Sequence, residues 1–298
     1  MIPFLRRLGR RLGTRLPFLR QSRLGIGRLL SRISPIEQVV LDGDIRIELD
    51  LRVPQFRFYF FFEDHHQTVE SVLIQRLLSA QDTFVDVGAH IGYFTLIAAK
   101  HAGQVIAFEP GPETFARLQR NLQLNPALAS RVTAYPYALS SQTGASTMHY
   151  APSDPGASSL QPVEFTTTQA VTVQVETLDH MLTDHHPRFI KIDVEGAELD
   201  VLQGGRAVIE RDRPVLLCEL SERWQNRFGR TCRDISSYLE QLGYRGFLVD
   251  LKPSSPGGIE AVPITGPIPD RERIYNGLFI PQEYTPAILE RISSHNLG

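Results

Sequence analysis

Four acidic residues stand where predicted strands end: Asp86, Glu109, Asp193 and Glu219. Carboxylates gathered on one sheet edge repel one another unless a cationic or hydroxyl-rich ligand lies among them. The first opens the turn Asp86-Val87-Gly88-Ala89-His90-Ile91-Gly92. Its glycines, Gly88 and Gly92, permit dihedrals that a Cβ forbids and let backbone come close to a ligand. No Gly-Lys-Ser/Thr follows, and the Gly-x-Gly-x-x-Gly spacing is absent, which excludes a phosphate loop and the usual dinucleotide fingerprint. Glu109 lies 23 positions after Asp86, where one carboxylate can take both hydroxyls of a ribose. Nicotinamide enzymes share that acid, but a carboxylate at the first turn repels pyrophosphate and attracts a cationic amino-acid group. Adenosine joined to a positively charged amino-acid tail describes S-adenosylmethionine.

Residues at strand exits need a sheet to align them, and the pattern supplies one. From Thr83 onward, short apolar runs alternate with helical segments: strands at 83–87, 104–108, 132–137, 189–193, 214–220 and 246–250, and helices to about Lys100 and at 112–124, 199–210 and 234–242. This alternation predicts parallel βαβ units and an α/β doubly wound sheet. Ligands bind such sheets outside the carboxyl ends of the strands. Ahead of it, Asp42-Gly43 marks a hairpin, Phe56–Phe62 reads as a second strand with alternate phenylalanines on one face, and Val69–Leu78 reads as a helix. Residues 151–168 are rich in Pro, Ser, Thr and Gly and are long for a plain connection, so they are a candidate lid. The predicted division is an arm at 1–36, a β-ribbon and helix lead-in at 37–80, a catalytic domain at 81–281 and a tail at 282–298.

The 298 residues are 42% hydrophobic and 21% charged, which excludes general disorder. Two cysteines, Cys218 and Cys232, are too few for a disulfide framework or a four-ligand zinc site, and point to a reducing compartment such as the cytoplasm. No run of roughly 18 apolar residues exists to span a membrane. The net charge of −2 conceals an asymmetry: residues 1–36 hold nine arginines and no acid, leaving 22 basic against 33 acidic groups elsewhere. Leu5, Leu8, Leu12, Leu16 and Leu19 repeat at helical spacing beside those arginines. The arm reads as a helix lying on anionic lipid, as an organellar transit segment, or as a basic leader without a partner. Nucleic acid is not expected, since aromatic residues are not interleaved with the arginines.

The motifs Asp86-Val-Gly-Ala-His-Ile-Gly-Tyr-Phe-Thr95, Phe108-Glu109-Pro110, Asn121-Leu-Gln-Leu-Asn125, Ala138-Leu-Ser with Gly144, Ser158-Ser-Leu, Ile190-Lys191-Ile-Asp193-Val-Glu195-Gly196-Ala-Glu198 and Arg213-Pro-Val-Leu-Leu-Cys-Glu219 together resemble the FkbM family of S-adenosylmethionine-dependent methyltransferases. The likeness spans about residues 66–281, and the long motif around Asp193 is its most specific part. It implies a seven-stranded, Rossmann-like methyltransferase sheet whose last strand, here Ile274–Ile280, is antiparallel and inserted beside residues 214–220. It also implies that the backbone at Ala138 meets the adenine edge. No metal is demanded; magnesium, used by some relatives, would fall to Asp193 and Glu219. His90 stands where the family usually has Asn, and Ala80-Gln81 where it has Pro-Gly.

Methyl transfer from a sulfonium is an in-line displacement that needs positioning and, for a hydroxyl acceptor, a base. Asp193 is the expected base or ion ligand, with Lys191 two residues earlier on the same strand face. Asp86 is expected to act on the methionine ammonium, directly or through water, or to order the turn. Gly88 and Gly92 are expected to give backbone approach near the methionine end, and Glu109 to take the ribose. Glu219 and Trp224 are the expected acceptor contacts, whereas Glu195 and Glu198 read as helix-opening acids. His90 reads as a solvated or capping histidine in preference to a catalytic one. The expected activity is O-methylation of a hydroxyl on a sugar, glycolipid or secondary metabolite. N-methylation of an amine, or a binding protein without turnover, are the alternatives.

Overall fold

The computed structural model describes residues 31–61, 68–164, 166–252, 257–270 and 272–293. Most of the arm, residues 1–30, therefore lies outside the described residues. The chain starts with a hairpin, β1 (Ile36–Leu41) and β2 (Ile45–Asp50), paired antiparallel around Asp42-Gly43. Alternation puts Val39, Leu41, Ile45, Ile47 and Leu49 on one buried face. Lys100 pins the hairpin tip by ion pairs to Asp42 and Asp44.

The phenylalanine run is helix α1 (Pro54–Phe61), not the expected strand. Pro54 suits a first helical turn, and Phe56 and Phe60, both fully buried, stand four apart on one helix face. Phenylalanine at every second position satisfies both periods, so the sequence did not decide between them. Helix α2 (Val69–Leu77) follows, closed at its start by reciprocal Thr68 and Ser71 hydrogen bonds.

The central sheet contains β3 (Thr83–Val87), β4 (Gln104–Phe108), β5 (Val132–Tyr135), β9 (Pro187–Ile192), β10 (Val215–Leu220), β11 (Tyr244–Leu251), β12 (Ile259–Pro263) and β13 (Tyr275–Pro281). Their spatial order is β12-β11-β13-β10-β9-β3-β4-β5. β5, β4, β3, β9 and β10 run parallel, and β13 is inserted antiparallel between β10 and β11, as expected. β12 is an eighth, edge strand, in a stretch rich in Pro and Gly that does not stand out as a strand in the sequence.

Helices α3 (Tyr93–His101) and α4 (Pro112–Leu124) return the chain after β3 and β4. The expected strand 132–137 is divided at Pro136, which has no N–H for a ladder. Its second part, β6 (Tyr137–Leu139), joins β7 (Gly144–Tyr150) and β8 (Gln169–Glu176) in a separate sheet ordered β6-β8-β7. Likewise the expected helix 199–210 is two, α5 (Glu198–Gly204) and α6 (Arg206–Asp212), which meet at Gly205. Helix α7 (Cys232–Gln241) leads into β11, and α8 (Thr285–Ser293) closes the described chain by burying Ile288 and Ile292. The buried hairpin face shares one apolar core with α2, α3 and one side of the sheet, and a second core fills the other side.

The Asn121–Asn125 motif has a mechanical role in this arrangement. Asn125 accepts from the Arg46 N–H (2.9 Å) and donates to its carbonyl (2.6 Å), while Asn121 accepts from the Glu48 N–H (2.8 Å) and donates to the Ile91 carbonyl (2.8 Å). Asn121 of α4 and Asn125, which caps its end, thus complete the free edge of β2 and tie it to the turn after β3.

Candidate active site

The exits of β3, β4, β9 and β10 converge on a cavity of about 400 Å³. Gly88, Glu109, Ala138, Asp193, Glu219 and Trp224 all line it. Three of the expected residues, Asp86, Gly92 and Lys191, do not. Asp86 is fully buried under the turn, where its Oδ2 accepts from Thr95 Oγ1 at 2.6 Å. Burial raises its pKa, and its strand neighbour across the β3–β9 ladder is Lys191. Of the roles expected for Asp86, ordering the turn is the one this position serves directly. Gly92 has a φ of 88°, and a Cβ there would come within 2.4 Å of Leu118 Cδ1. Its absence of side chain serves the packing of the turn on α4. Gly88, at φ 82°, lies so close to β9 that a Cβ would sit 1.9 Å from the Asp193 carbonyl oxygen.

Glu109 closes the turn from the other side. Its Oε2 accepts from the His90 N–H at 2.9 Å and its Oε1 from the Gly111 N–H at 2.8 Å. Each oxygen keeps a lone pair for a further donor. Burial pushes its pKa up to about 7, against the pull of those two backbone bonds. Ala138, buried on β6, puts backbone beside the same space.

At the β9 exit, Lys191 Nζ donates to Asp193 Oδ2 at 2.9 Å and lies 5.0 Å from the centre of the Phe94 ring. Burial disfavours the ammonium, but the carboxylates of Asp193 and Asp86 outweigh it and hold Lys191 above its ordinary pKa. For Asp193, burial is outweighed by Lys191, so its carboxyl stays below the usual range. Carboxylate oxygens of Asp193, Glu195 and Glu219 lie within 4.8 Å of one another. Burial first, and then the Asp193 charge, push Glu195 and Glu219 well above the usual carboxylate range. Glu195 Oε2 and Glu219 Oε1 are buried with no protein partner. Of the acids lining the cavity, Asp193 is the one whose pKa is lowered.

Several members were not recognised from sequence. Glu195, read as a helix-opening acid, has a φ of 52° and lines the cavity; Gly196 after it was the available turn signal. Glu198 is a staple: Oε1 accepts from the Val194 (3.1 Å) and Gly196 (3.2 Å) N–H groups, and Oε2 accepts from Gln225. His90 is half-buried at the cavity and caps no helix. Its ring packs 5.4 Å from that of Phe56, burial lowers its pKa to about 4, and its Nε2 has no protein partner. The candidate lid forms a wall, with residues 154–160 facing the cavity. Ser159 Oγ donates to the Glu195 carbonyl at 2.9 Å, and Ala157 and Val163 pack on Trp224.

His186 is exposed and paired with Asp212, while Cys218 is a buried filler in mid-strand. Among the described residues, only Asp193, Glu195 and Glu219 form a cluster able to hold a metal ion. Their hard oxygen donors, two of them unpartnered, fit a cation such as magnesium.

Residues 86–245 match the family described as Methyltransferase FkbM domain. Methyltransferase sdnD of Sordaria araneosa is 33% identical over 183 residues, which cover 50% of this chain and 68% of that protein. Hexuronic acid methyltransferase AglP of Haloferax volcanii is 35% identical over 126 residues, covering 41% of this chain and 49% of its own length. The crystal structure of methyltransferase FkbM from Methylobacillus flagellatus is 21% identical and aligns with a TM-score of 0.46 over 76% of this chain and 52% of that one. This chain thus spans only about half the length of the last two. The family match takes in more than half of the chain and includes the β3 turn and the exits of β4, β9 and β10, so the chain belongs to the FkbM methyltransferases.

Proposed function

We propose that this domain transfers the methyl group of S-adenosylmethionine to a hydroxyl oxygen of a sugar, glycolipid or secondary metabolite. The observation that carries the reading is one cavity in which Glu109 faces from the β4 exit and the charged Asp193 from the β9 exit. A ribose donates its hydroxyls to the open lone pairs of Glu109, with the adenine beside Ala138. The sulfonium then lies toward Asp193, between turn and β9. Asp193 accepts the hydroxyl proton as the oxygen attacks the methyl carbon and the carbon–sulfur bond breaks, leaving S-adenosylhomocysteine. Lys191 keeps Asp193 oriented and ionised. The carboxyl groups of Glu219 and Glu195, whose pKa values burial raises, are available to hydrogen-bond the acceptor, and Trp224 supplies an apolar wall.

Were magnesium bound, Asp193, Glu195 and Glu219 would hold it, and its charge would make the acceptor hydroxyl more acidic. The name of the hexuronic acid methyltransferase relative supports a sugar-type hydroxyl as one acceptor. The arm at residues 1–36 supports a peripheral position on an anionic, cytoplasmic membrane face, and no helix of the described residues is long and apolar enough to cross a membrane. Radiolabelled S-adenosylmethionine incubated with lipid, glycan and small-molecule fractions tests the activity. Label in a base-stable ether supports oxygen transfer, and label in an amine would replace it by nitrogen transfer.

A further inference from the structure

A second cavity, of about 90 Å³, adjoins the first and shares Gly88, His90 and Asp193 with it. Its far wall is not part of the sheet: Leu41, Ile47 and Leu49 of the hairpin close it, facing Ile91 and Phe94 of the turn and α3. Lys191 and Asp193 stand where the two cavities adjoin, joined by their 2.9 Å hydrogen bond.

An in-line displacement needs donor and acceptor on opposite sides of the travelling methyl group. Two cavities that meet at one carboxylate offer that geometry, with the donor toward Glu109 in the larger and part of the acceptor reaching from the Glu219 and Trp224 side into the smaller. We infer that the second cavity is an acceptor subsite, closed by the β1–β2 hairpin, for a hydroxyl carried on an apolar carbon frame. This rests on the methyltransferase reading and narrows it. Tyr93 completes the lining, but the hairpin side chains Leu41, Ile47 and Leu49 offer no hydrogen-bond partner, so a polyol pressed against them would leave hydroxyls unpaired, whereas an alkyl group is favoured there. The volume admits a short branched group of a few heavy atoms. The hydroxyl end meets Asp193, Lys191 and the unpartnered Nε2 of His90. Acceptor choice then belongs to residues 36–50, which lie outside the family match at 86–245.

The test is a methyl NMR titration of the full chain, labelled at Ile, Leu and Val. S-adenosylhomocysteine is added first, followed by 2-methylpropan-1-ol or, in a parallel sample, glycerol. Saturable shifts at Leu41, Ile47 and Leu49 with the alcohol and none with glycerol are expected. Leu49→Phe, which fills the cavity, should abolish the alcohol response while leaving the S-adenosylhomocysteine shifts at Val87 and Leu139 in place. Leu49→Ala, which enlarges it, should retain the response and covers the case in which the larger side chain prevents folding. No alcohol response in the unaltered chain, or an equal one to glycerol, overturns the inference while leaving the donor reading intact. Absence of the Val87 and Leu139 shifts would instead remove the donor reading and the inference with it.

Discussion

Glu109 and Asp193 carry opposite electrostatic conditions a short way apart, and each has its own test. Glu109→Ala should weaken S-adenosylhomocysteine binding by roughly 1–3 kcal/mol in calorimetry, because the ribose hydroxyls lose their acceptor. Unchanged affinity would move the ribose elsewhere. Asp193→Asn should lower kcat by roughly 10²–10⁴-fold while barely changing donor affinity, if the acceptor is a hydroxyl that must lose its proton. A small effect would favour an amine. The elevated pKa of Glu109 also has a stability consequence. Between pH 4.5 and about 7 the folded chain keeps a proton that the unfolded chain has released, so stability falls as pH rises. The share due to Glu109 is on the order of 3 kcal/mol. His90 acts in the opposite direction from about pH 4 to 6.5, since the unfolded chain is the one that binds its proton. Glu109→Gln should therefore be relatively more stable than the parent at pH 7.5 than at pH 4.5 in urea titrations. Parallel pH profiles would contradict the buried-acid description.

At the scale of elements, the hairpin and the turn after β3 are held by side chains of a third element, α4. Asn121→Ala would strand the Glu48 N–H and the Ile91 carbonyl. The expected loss is roughly 1–3 kcal/mol in denaturant unfolding, together with faster amide exchange in β2 and in the turn. Stability equal to the parent would mean that water replaces the asparagine. The motif was visible in the sequence, but its purpose was not, since its partners lie 73 and 30 positions away. The strand exits were legible because apolar runs that end at or next to an acid follow a local pattern. The helix at Pro54–Phe61 was not, because phenylalanine at alternate positions also satisfies a four-residue repeat, and burial against the hairpin decided between them. Residues 259–263 carry little signal for a related reason: a five-residue edge strand that ends in proline has little pattern of its own until β11 lies beside it.

For the molecule as a whole, the charge asymmetry predicts a bipartite behaviour. Full-length protein should float with vesicles containing anionic lipid at low salt, and protein lacking residues 1–36 should remain in solution; equal partitioning would end the membrane proposal. The doubly wound sheet, the inserted antiparallel strand, the family and the four strand-exit acids were set by the sequence alone, because each depends on local periodicity or on a motif a few residues long. Which acid has its pKa lowered, the union of Glu195 with Asp193 and Glu219, the packing of His90 on Phe56 and the second cavity under the hairpin were decided only by tertiary structure. The physical reason is that pKa values and cavities depend on what surrounds a group in space. Those surroundings come from chain segments far apart in sequence, and no local pattern records which of them will meet.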